Sequence, residues 1–400
     1  MQQLTVFSSL KAMPVRKITE LFLGTRLLLI LATYISFVLF SLPPHVYSAP
    51  PPGIMSFLLA WNHWDATFYV HIAQYGYQNS RNYHDPAFFP LFPLLVRFVA
   101  LLLGNHAFPF AAMFVSNLAL FGTLFVLYQL ATDALGEEIG WRTIVYLCLF
   151  PTAFFFFAGY NESLFLFFSC SALFAMRRQK WMLAGILGGL AALTRSAGAL
   201  LVFPYLYELW MARDESQPGP LNQLKGLILK ALPIVLIPMG TLLYCLYCWK
   251  YFGDPLAFAS VQKYWMRAFT WPWAGIFQAF VQLFYVQPFG TFTEVHTLID
   301  LSATLGFLIL AVLSWRRLRF SYTLWIGLLL LYTLSSSAIL NANSDVLASN
   351  QRFVLEMFPG FITLAALGVK HPRLHQTVIV LFPFLQAILA SLFVLNRWIV

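Results

Sequence analysis

The chain has 400 residues, of which 60% are hydrophobic, 18% aromatic and only 10% charged. Soluble domains carry roughly 25% charged residues, so this composition excludes a water-soluble protein and predicts an all-α, polytopic membrane protein. The formal net charge of +9 does not indicate nucleic-acid binding, because the basic residues fall in short clusters between apolar runs, as in cytoplasmic loops.

The first predicted element is a membrane span at residues 18–40. Lys11, Arg16 and Lys17 precede it, and the positive-inside rule places them in the cytoplasm. The apolar run is too long for a signal-peptide core, so we expect the span to be retained. Residues 41–107 then form the first exoplasmic loop, which begins with proline-rich connectors.

Within that loop, residues 61–77 read WNHWDATFYVHIAQYGY, which is too polar for a membrane core and too aromatic for an ordinary loop. The spacing predicts an amphipathic helix from Ser56 to Tyr75 on the membrane surface, with Asp65 and Tyr69 sharing one face. Another face would carry Trp61, Trp64, Phe68 and Ile72. Asp65 is either a base at the mouth of a membrane-embedded cavity or a solvated acid in an aromatic belt.

The rest of the chain predicts a bundle of helices joined by short loops. Residues 88–104 are expected to form a half-embedded helix, kinked near Pro90 and Pro93, because a full crossing would place the next basic clusters on the wrong side. Further spans are predicted at 108–131, 141–158, 163–176, 226–248, 298–314, 321–339, 353–369 and 376–395, with two short apolar pieces in 181–212. These give about eleven spans in a single domain, residues 1–400, with a second large exoplasmic loop at 250–297.

Charged residues near the predicted membrane core are candidate functional groups, because burying a charge is costly. Glu162 lies in a tight turn and is either part of a site or a helix-start acid favoured by the helix dipole. Arg195 separates the two apolar pieces of 181–212; it either clamps a phosphate or carboxylate or forms a structural ion pair with a distant acid. For Arg352, the simpler alternative is an i,i+4 pair with Glu356.

No strong metal or nucleotide motif is present in the sequence. His84-Asp85 offers two ligands for a divalent metal, but no H-x-x-x-H or H-E-x-x-H pattern supports it. The C-x-x-C at 245–248 has no second pair, so no zinc site is expected. A G-x-x-x-G at 185–189 indicates close helix packing. A P-loop and a G-x-G-x-x-G are both missing, so a nucleotide-driven step has no visible site.

Several motifs, in order along the chain, resemble the GPI mannosyltransferase II (PIG-V-like) family, within the GT-C class of integral-membrane glycosyltransferases and including bacterial relatives. The matching stretches are Trp64-Asp65-Ala66 through Tyr77, Phe88 to Pro93, Gly159 to Ser163 and Thr194 to Gly198, and more weakly Gln351-Arg352-Phe353 and Phe358-Pro359. The resemblance covers residues 60 to 200 well. It implies a GT-C-like helical bundle with half-embedded helices in its exoplasmic loops.

The resemblance also implies a reaction. A hexose such as mannose would pass, with inversion, from a polyprenyl- or dolichyl-phosphate donor to a glycolipid or glycan acceptor outside the cytoplasm, at a bacterial plasma membrane or in the ER lumen. Such a donor carries its own leaving group, so no nucleotide-binding fold is needed; a divalent metal is compatible with the reaction, but no motif in the sequence supports one. The GT-C class places its catalytic carboxylate in the first exoplasmic loop, where Asp65 matches.

Roles for the candidate residues follow from this reaction. Asp65 is expected to act as the base, Arg195 and Arg352 to stabilise the departing phosphate, and Glu162 to orient a sugar or Arg195. The other expected substrate-binding residues are Trp64, Tyr69, His84, Asp85 and Gln351.

A polytopic transporter or lipid-linked sugar flippase is the competing interpretation. In that case Arg195 and Asp65 would be substrate-binding groups in a membrane cavity. Transporters usually show repeat symmetry between their halves, and this sequence has no recognisable internal repeat. The loop-rich exoplasmic side also favours an enzyme.

Overall fold

The computed structural model describes residues 14–39, 57, 59–77, 84–104, 107–213, 220–338 and 346–397, with the backbone alone in 220–225. The helices of its first half are α1 Val15–Leu39, α2 Asp65–Tyr75, α3 Leu91–Leu102, α4 Phe108–Leu135, α5 Glu137–Leu149, α6 Glu162–Arg177, α7 Trp181–Thr194, α8 Val202–Met211 and α9 Pro220–Ala231. The second half contains α10 Leu236–Phe252, α11 Ala257–Ser260, α12 Pro272–Val281, α13 Phe292–Ser314, α14 Phe320–Leu334, α15 Asn350–Phe353, α16 Phe358–Lys370 and α17 Pro372–Val394.

Short elements connect these helices. Single 3-10 turns occupy Asp85–Ala87, Ala153–Phe156, Ser196–Leu201, Leu232–Val235, Val261–Trp265 and Val354–Glu356, and a π-turn occupies Gln282–Val286. Two short strands, β1 Ala268–Phe269 and β2 Ser336–Ser337, pair antiparallel. This pairing joins the loop after α11 to the end of α14.

The structure confirms a mostly helical membrane protein but not eleven spans. Among the described residues, five helical segments are long and apolar enough to cross a membrane: Val15–Leu39, Phe108–Leu135, Gly226–Phe252, Phe292–Ser314 and Pro372–Val394. The pair Asn350–Glu356 and Phe358–Lys370, bent by 83°, gives a sixth candidate. Predicted spans at 141–158 and 163–176 correspond to α5 and α6, with only 13 and 16 helical residues, whereas a perpendicular crossing needs about 20.

The predicted continuous helix from Ser56 to Tyr75 is interrupted at residues 60–64, while residues 57 and 59 before the break are helical. Helix α2 begins only at Asp65, after a turn in which Trp64 has a φ of 48°. Trp61 is buried, with its ring 4.9 Å from Phe157 and 5.5 Å from Phe393. Aromatic rings from distant parts of the chain thus bury Trp61 inside the bundle, so it does not belong to an exposed face of a helix.

Helix α3 occupies the segment predicted to be half-embedded. Its 12 residues extend about 18 Å, which is too short to cross the apolar core of a bilayer. Pro90 precedes the helix and Pro93 lies in its first turn, so the prolines start the helix and do not kink it. The proline-rich connectors at 43–44 and 50–52 lie outside the described residues.

The G-x-x-x-G at 185–189 packs closely, as predicted. A Cβ on Gly185 would lie 2.3 Å from the Pro233 carbonyl oxygen, and one on Gly189 would lie 2.5 Å from the Leu236 oxygen. On α10, Gly240 makes the reciprocal approach to the Gly189 carbonyl. This contact fixes α7, whose C-terminal end leads directly to Arg195.

Candidate active site

An open cavity of about 770 Å³ lies at one end of the bundle. Its walls come from the start of α2, the turn before α6, the segment after α7, the loop 258–269, the end of α14 and α15. The volume is within the range of small-molecule sites. Of the residues predicted for the site, those that line the cavity are Trp64, Asp65, Tyr69, Arg195 and Arg352.

Five charged side chains form a continuous ion-pair chain along the cavity wall. Arg352 Nη1 lies 2.7 Å from Asp65 Oδ2, and its Nε lies 3.2 Å from Glu162 Oε1. The same Glu162 oxygen is 3.3 Å from Arg195 Nη1, which also donates to Glu356. Because acids and bases alternate, each buried charge has an opposite charge beside it, which offsets the cost of burial.

The chain of ion pairs concerns two alternatives left by the sequence, for Arg352 and for Arg195. The i,i+4 pair between Arg352 and Glu356 is wrong, because α15 ends at Phe353 and a 3-10 turn follows, so Glu356 faces Arg195. Arg195 does form ion pairs with distant acids, and Glu162 contacts it. Arg195 therefore forms ion pairs within the protein and also lines the cavity.

A hydrogen bond from a side chain to the backbone brings Glu162 and Arg195 together. Asn161 Nδ2 donates to the Thr194 carbonyl across 3.1 Å, which ties the turn before α6 to the end of α7. Glu162 is the first residue of α6, and its side chain is only 1% exposed. Glu162 is therefore both the acid at the start of a helix and a member of the ion-pair chain.

Asp65 is positioned by an unusual turn. Trp64 adopts a positive φ, which costs a non-glycine residue on the order of 1–3 kcal/mol, and its ring lies 5.0 Å from that of Phe393. The Tyr160 hydroxyl donates to the His63 carbonyl across 3.0 Å. These contacts hold Asp65 at the cavity with 24% of its side chain exposed.

Tyr69 lies one turn after Asp65 on α2, and both line the cavity, as their shared helix face predicted. Burial raises the pKa of Tyr69 well above its ordinary value. Its hydroxyl therefore stays protonated at neutral pH and remains available as a hydrogen-bond donor.

Arg267, which the sequence did not single out, is a further cation of the cavity. Its Nη2 donates to the Ala348 carbonyl across 2.7 Å. Burial, with a smaller contribution from Arg352, lowers the pKa of Arg267 to about 10, so it stays charged at neutral pH. No periodicity or motif marks this position in the aromatic loop.

Four predicted site residues do not line the cavity: Glu162, His84, Asp85 and Gln351. Glu162 nonetheless contacts both cavity arginines, Arg195 and Arg352. His84 and Asp85 lie behind its wall, where Asp85 Oδ2 is 4.0 Å from His71 Nδ1. The Gln351 backbone N–H donates to Asp300 across 2.6 Å, and its side chain is buried. Within the described part of the chain, no three His, Cys, Asp or Glu side chains are grouped to hold a metal ion.

Comparison with known proteins gives consistent matches. Residues 18–265, more than half of the chain, match the family model described as Mannosyltransferase (PIG-V). GPI alpha-1,6-mannosyltransferase 2 of Rattus norvegicus is 34% identical over 153 residues, which cover 35% of this chain and 30% of the rat protein. GPI mannosyltransferase 2 of Schizosaccharomyces pombe is 29% identical over 236 residues, covering 54% and 49%. The chain thus spans less than half the length of either relative.

Among solved structures, ArnT from Cupriavidus metallidurans bound to undecaprenyl phosphate superposes with a TM-score of 0.52. The match has 11% sequence identity and covers 92% of this chain and 63% of ArnT. Likeness at this identity concerns the fold alone, and it confirms the GT-C-like architecture.

Proposed function

Because the chain belongs to the PIG-V mannosyltransferase family, we propose that it is a membrane glycosyltransferase. It transfers a hexose such as mannose from a polyprenyl- or dolichyl-phosphate donor to a glycolipid or glycan acceptor, with inversion. The undecaprenyl phosphate bound to ArnT supports a lipid-phosphate donor. The activities named for the GPI mannosyltransferase 2 relatives support mannose as the sugar.

One observation carries the proposal: Asp65 reaches the cavity while ion-paired to Arg352. A carboxylate within reach of the cavity can accept a proton from a bound hydroxyl, as a general base does. In the proposed reaction, Asp65 takes the proton of the acceptor hydroxyl as its oxygen attacks the anomeric carbon. The bond from that carbon to the phosphate oxygen breaks on the opposite face, and the lipid phosphate leaves with the electron pair.

The remaining cavity residues complete this scheme. Arg195 and Arg352 place positive charge near the departing phosphate, and Glu162 fixes both guanidinium groups. Trp64 and Tyr69 offer aromatic surface for a sugar ring. We further propose that residues 41–107 and 250–297 face the exoplasmic side, so that transfer occurs there. The reaction requires no nucleotide, and assays with and without EDTA test for a divalent metal.

The test is sugar transfer by the purified protein in lipid, using radiolabelled polyprenyl-phosphate mannose and isolated glycolipid acceptors. Asp65→Asn should lower the rate about 10²- to 10⁴-fold, the usual contribution of a general base. Asp254→Asn is the matched control, because Asp254 binds Ser260 outside the cavity. Near-normal transfer by the Asp65 variant would remove the base assignment, and movement of unchanged substrate across the membrane would favour a transporter.

A further inference from the structure

Three guanidinium groups surround a single aromatic ring in the cavity. The Cζ atoms of Arg195, Arg352 and Arg267 lie 5.0, 5.1 and 5.2 Å from the centroid of the Phe353 ring. The negative face of an aromatic ring attracts cations, but three like charges in one place repel one another unless anions lie among them.

Carboxylates supply those anions for two of the three arginines. Arg352 pairs with Asp65 and Glu162, and Arg195 pairs with Glu162 and Glu356. Because both guanidinium groups already contact carboxylates, a phosphate would have to compete with these ion pairs to bind either of them directly.

Arg267 differs from the other two. No carboxylate of the described residues lies within 4.0 Å of it; its Nη2 and Nη1 donate instead to the carbonyls of Ala348 and Ser336, at 2.7 and 3.5 Å. Carbonyls orient a guanidinium without cancelling its charge, and they use two of its five N–H groups. Its charge is therefore directed at the cavity without a paired acid.

The position of Arg267 is fixed by the fold. It immediately precedes β1, whose pairing with β2 joins this loop to the end of α14. Its two carbonyl partners come from β2 and from the turn before α15. An oriented, charged donor facing an open cavity is what recognition of an anionic oxygen requires.

We propose that Arg267 directly contacts the phosphate of the lipid-linked donor, while Arg195 and Arg352 mainly hold the three carboxylates in place. This inference rests on the proposed function. It assigns to Arg267 the direct contact that the sequence suggested for Arg195 and Arg352.

Binding of undecaprenyl phosphate to the full-length protein in lipid nanodiscs tests this assignment. Arg267→Gln removes the charge but keeps an N–H donor for the Ala348 carbonyl. We expect its dissociation constant to rise about 10- to 100-fold, the usual effect of losing a charged hydrogen bond. Lys263→Gln is the matched control: Lys263 lies in the preceding 3-10 turn, is exposed and does not line the cavity, so binding should change less than about twofold.

Three further measurements separate a direct contact from a structural effect. Arg267→Lys retains the charge, so it should bind more tightly than the Gln variant, and both should melt within a few degrees of the parent protein. In transfer assays with Arg267→Gln, the KM for the lipid-linked donor should rise, while the KM for the acceptor stays constant.

Unchanged lipid-phosphate binding by Arg267→Gln would overturn the assignment, as would equal weakening by Lys263→Gln. Because binding is measured without sugar transfer, either result counts against Arg267 whether or not the protein proves to be a transferase.

Discussion

Helix α6 carries a charged residue at each end, and the two belong to different ion clusters. At its start, Glu162 lies in the ion-pair chain of the cavity. At its end, Arg177 lies 3.9 Å from Glu208, which also accepts from Arg319 Nε at 2.8 Å and from Ser321 Oγ at 2.6 Å. The members of this Glu208 cluster do not line the cavity.

The two clusters differ in whether they reach the cavity and in how completely the oxygens of their carboxylates are paired. In the Glu208 cluster, two arginines and a hydroxyl surround one carboxylate, so each of its two oxygens has a positively charged partner. In the ion-pair chain, Asp65 remains partly exposed, and Glu162 Oε2 is buried without a hydrogen-bond partner among the described residues. Burial of charge alone does not indicate chemistry; an incompletely satisfied cluster that opens to a cavity does.

The largest expected effect separates the clusters by activity. Arg352→Gln leaves Asp65 and Glu162 without their shared cation, so sugar transfer should fall about 10²- to 10³-fold, or roughly 3–4 kcal/mol in the barrier. The measurement is the transfer rate per folded protein, with thermal unfolding in parallel. If the variant lost stability but retained its transfer rate, the ion-pair chain would have a structural role, like the Glu208 cluster.

The reverse result is expected for Glu208→Gln. The free energy of unfolding should fall by about 2 kcal/mol, less than for a fully buried pair because Arg319 is 32% exposed. Transfer per folded protein should stay within about twofold of the parent rate. Unfolding in detergent and a transfer assay on the same samples check both values. A large loss of rate at unchanged stability would contradict the division between the clusters.

The smallest expected effect is on the pH dependence of stability, through His63, which lies two residues before Asp65. Burial lowers the pKa of His63 to about 4, below its ordinary value of 6.5. Between these values the unfolded chain binds more protons than the folded one, so stability decreases as the pH falls. Lowering the pH from 7 to 5 should cost roughly 1 to 2 kcal/mol through this residue. Melting curves of the parent and of His63→Gln should converge at low pH; an equal pH dependence in both would exclude His63.

Much of the site was predictable because charges are rare in apolar sequence. Asp65, Glu162 and Arg195 each stand alone in such a stretch, and the structure brings them to one end of the bundle. Pairing was harder to predict: Arg352 and Asp65 lie 287 residues apart, and only the folded chain shows their contact. Arg267 left no signal, since its partners are backbone carbonyls.

The fold was predictable in class but not in detail. Apolar runs indicated helices, yet hydropathy does not show where a helix bends or stops. Phe150 leaves the helical conformation just before Pro151 and ends α5, as residues before proline tend to do. The 83° bend before Phe358 divides another predicted span. Trp64 adopts its strained conformation beside the ring of Phe393, which is far away along the chain, so no local pattern reports it.

The contact between Trp64 and Phe393 has a practical consequence. Helix α17 carries Phe393 near its end, so the final helix supports the turn that presents Asp65. Expression of residues 18–265 alone would yield the family's recognisable portion without Arg267, Arg352 or Phe393, and hence without a complete site.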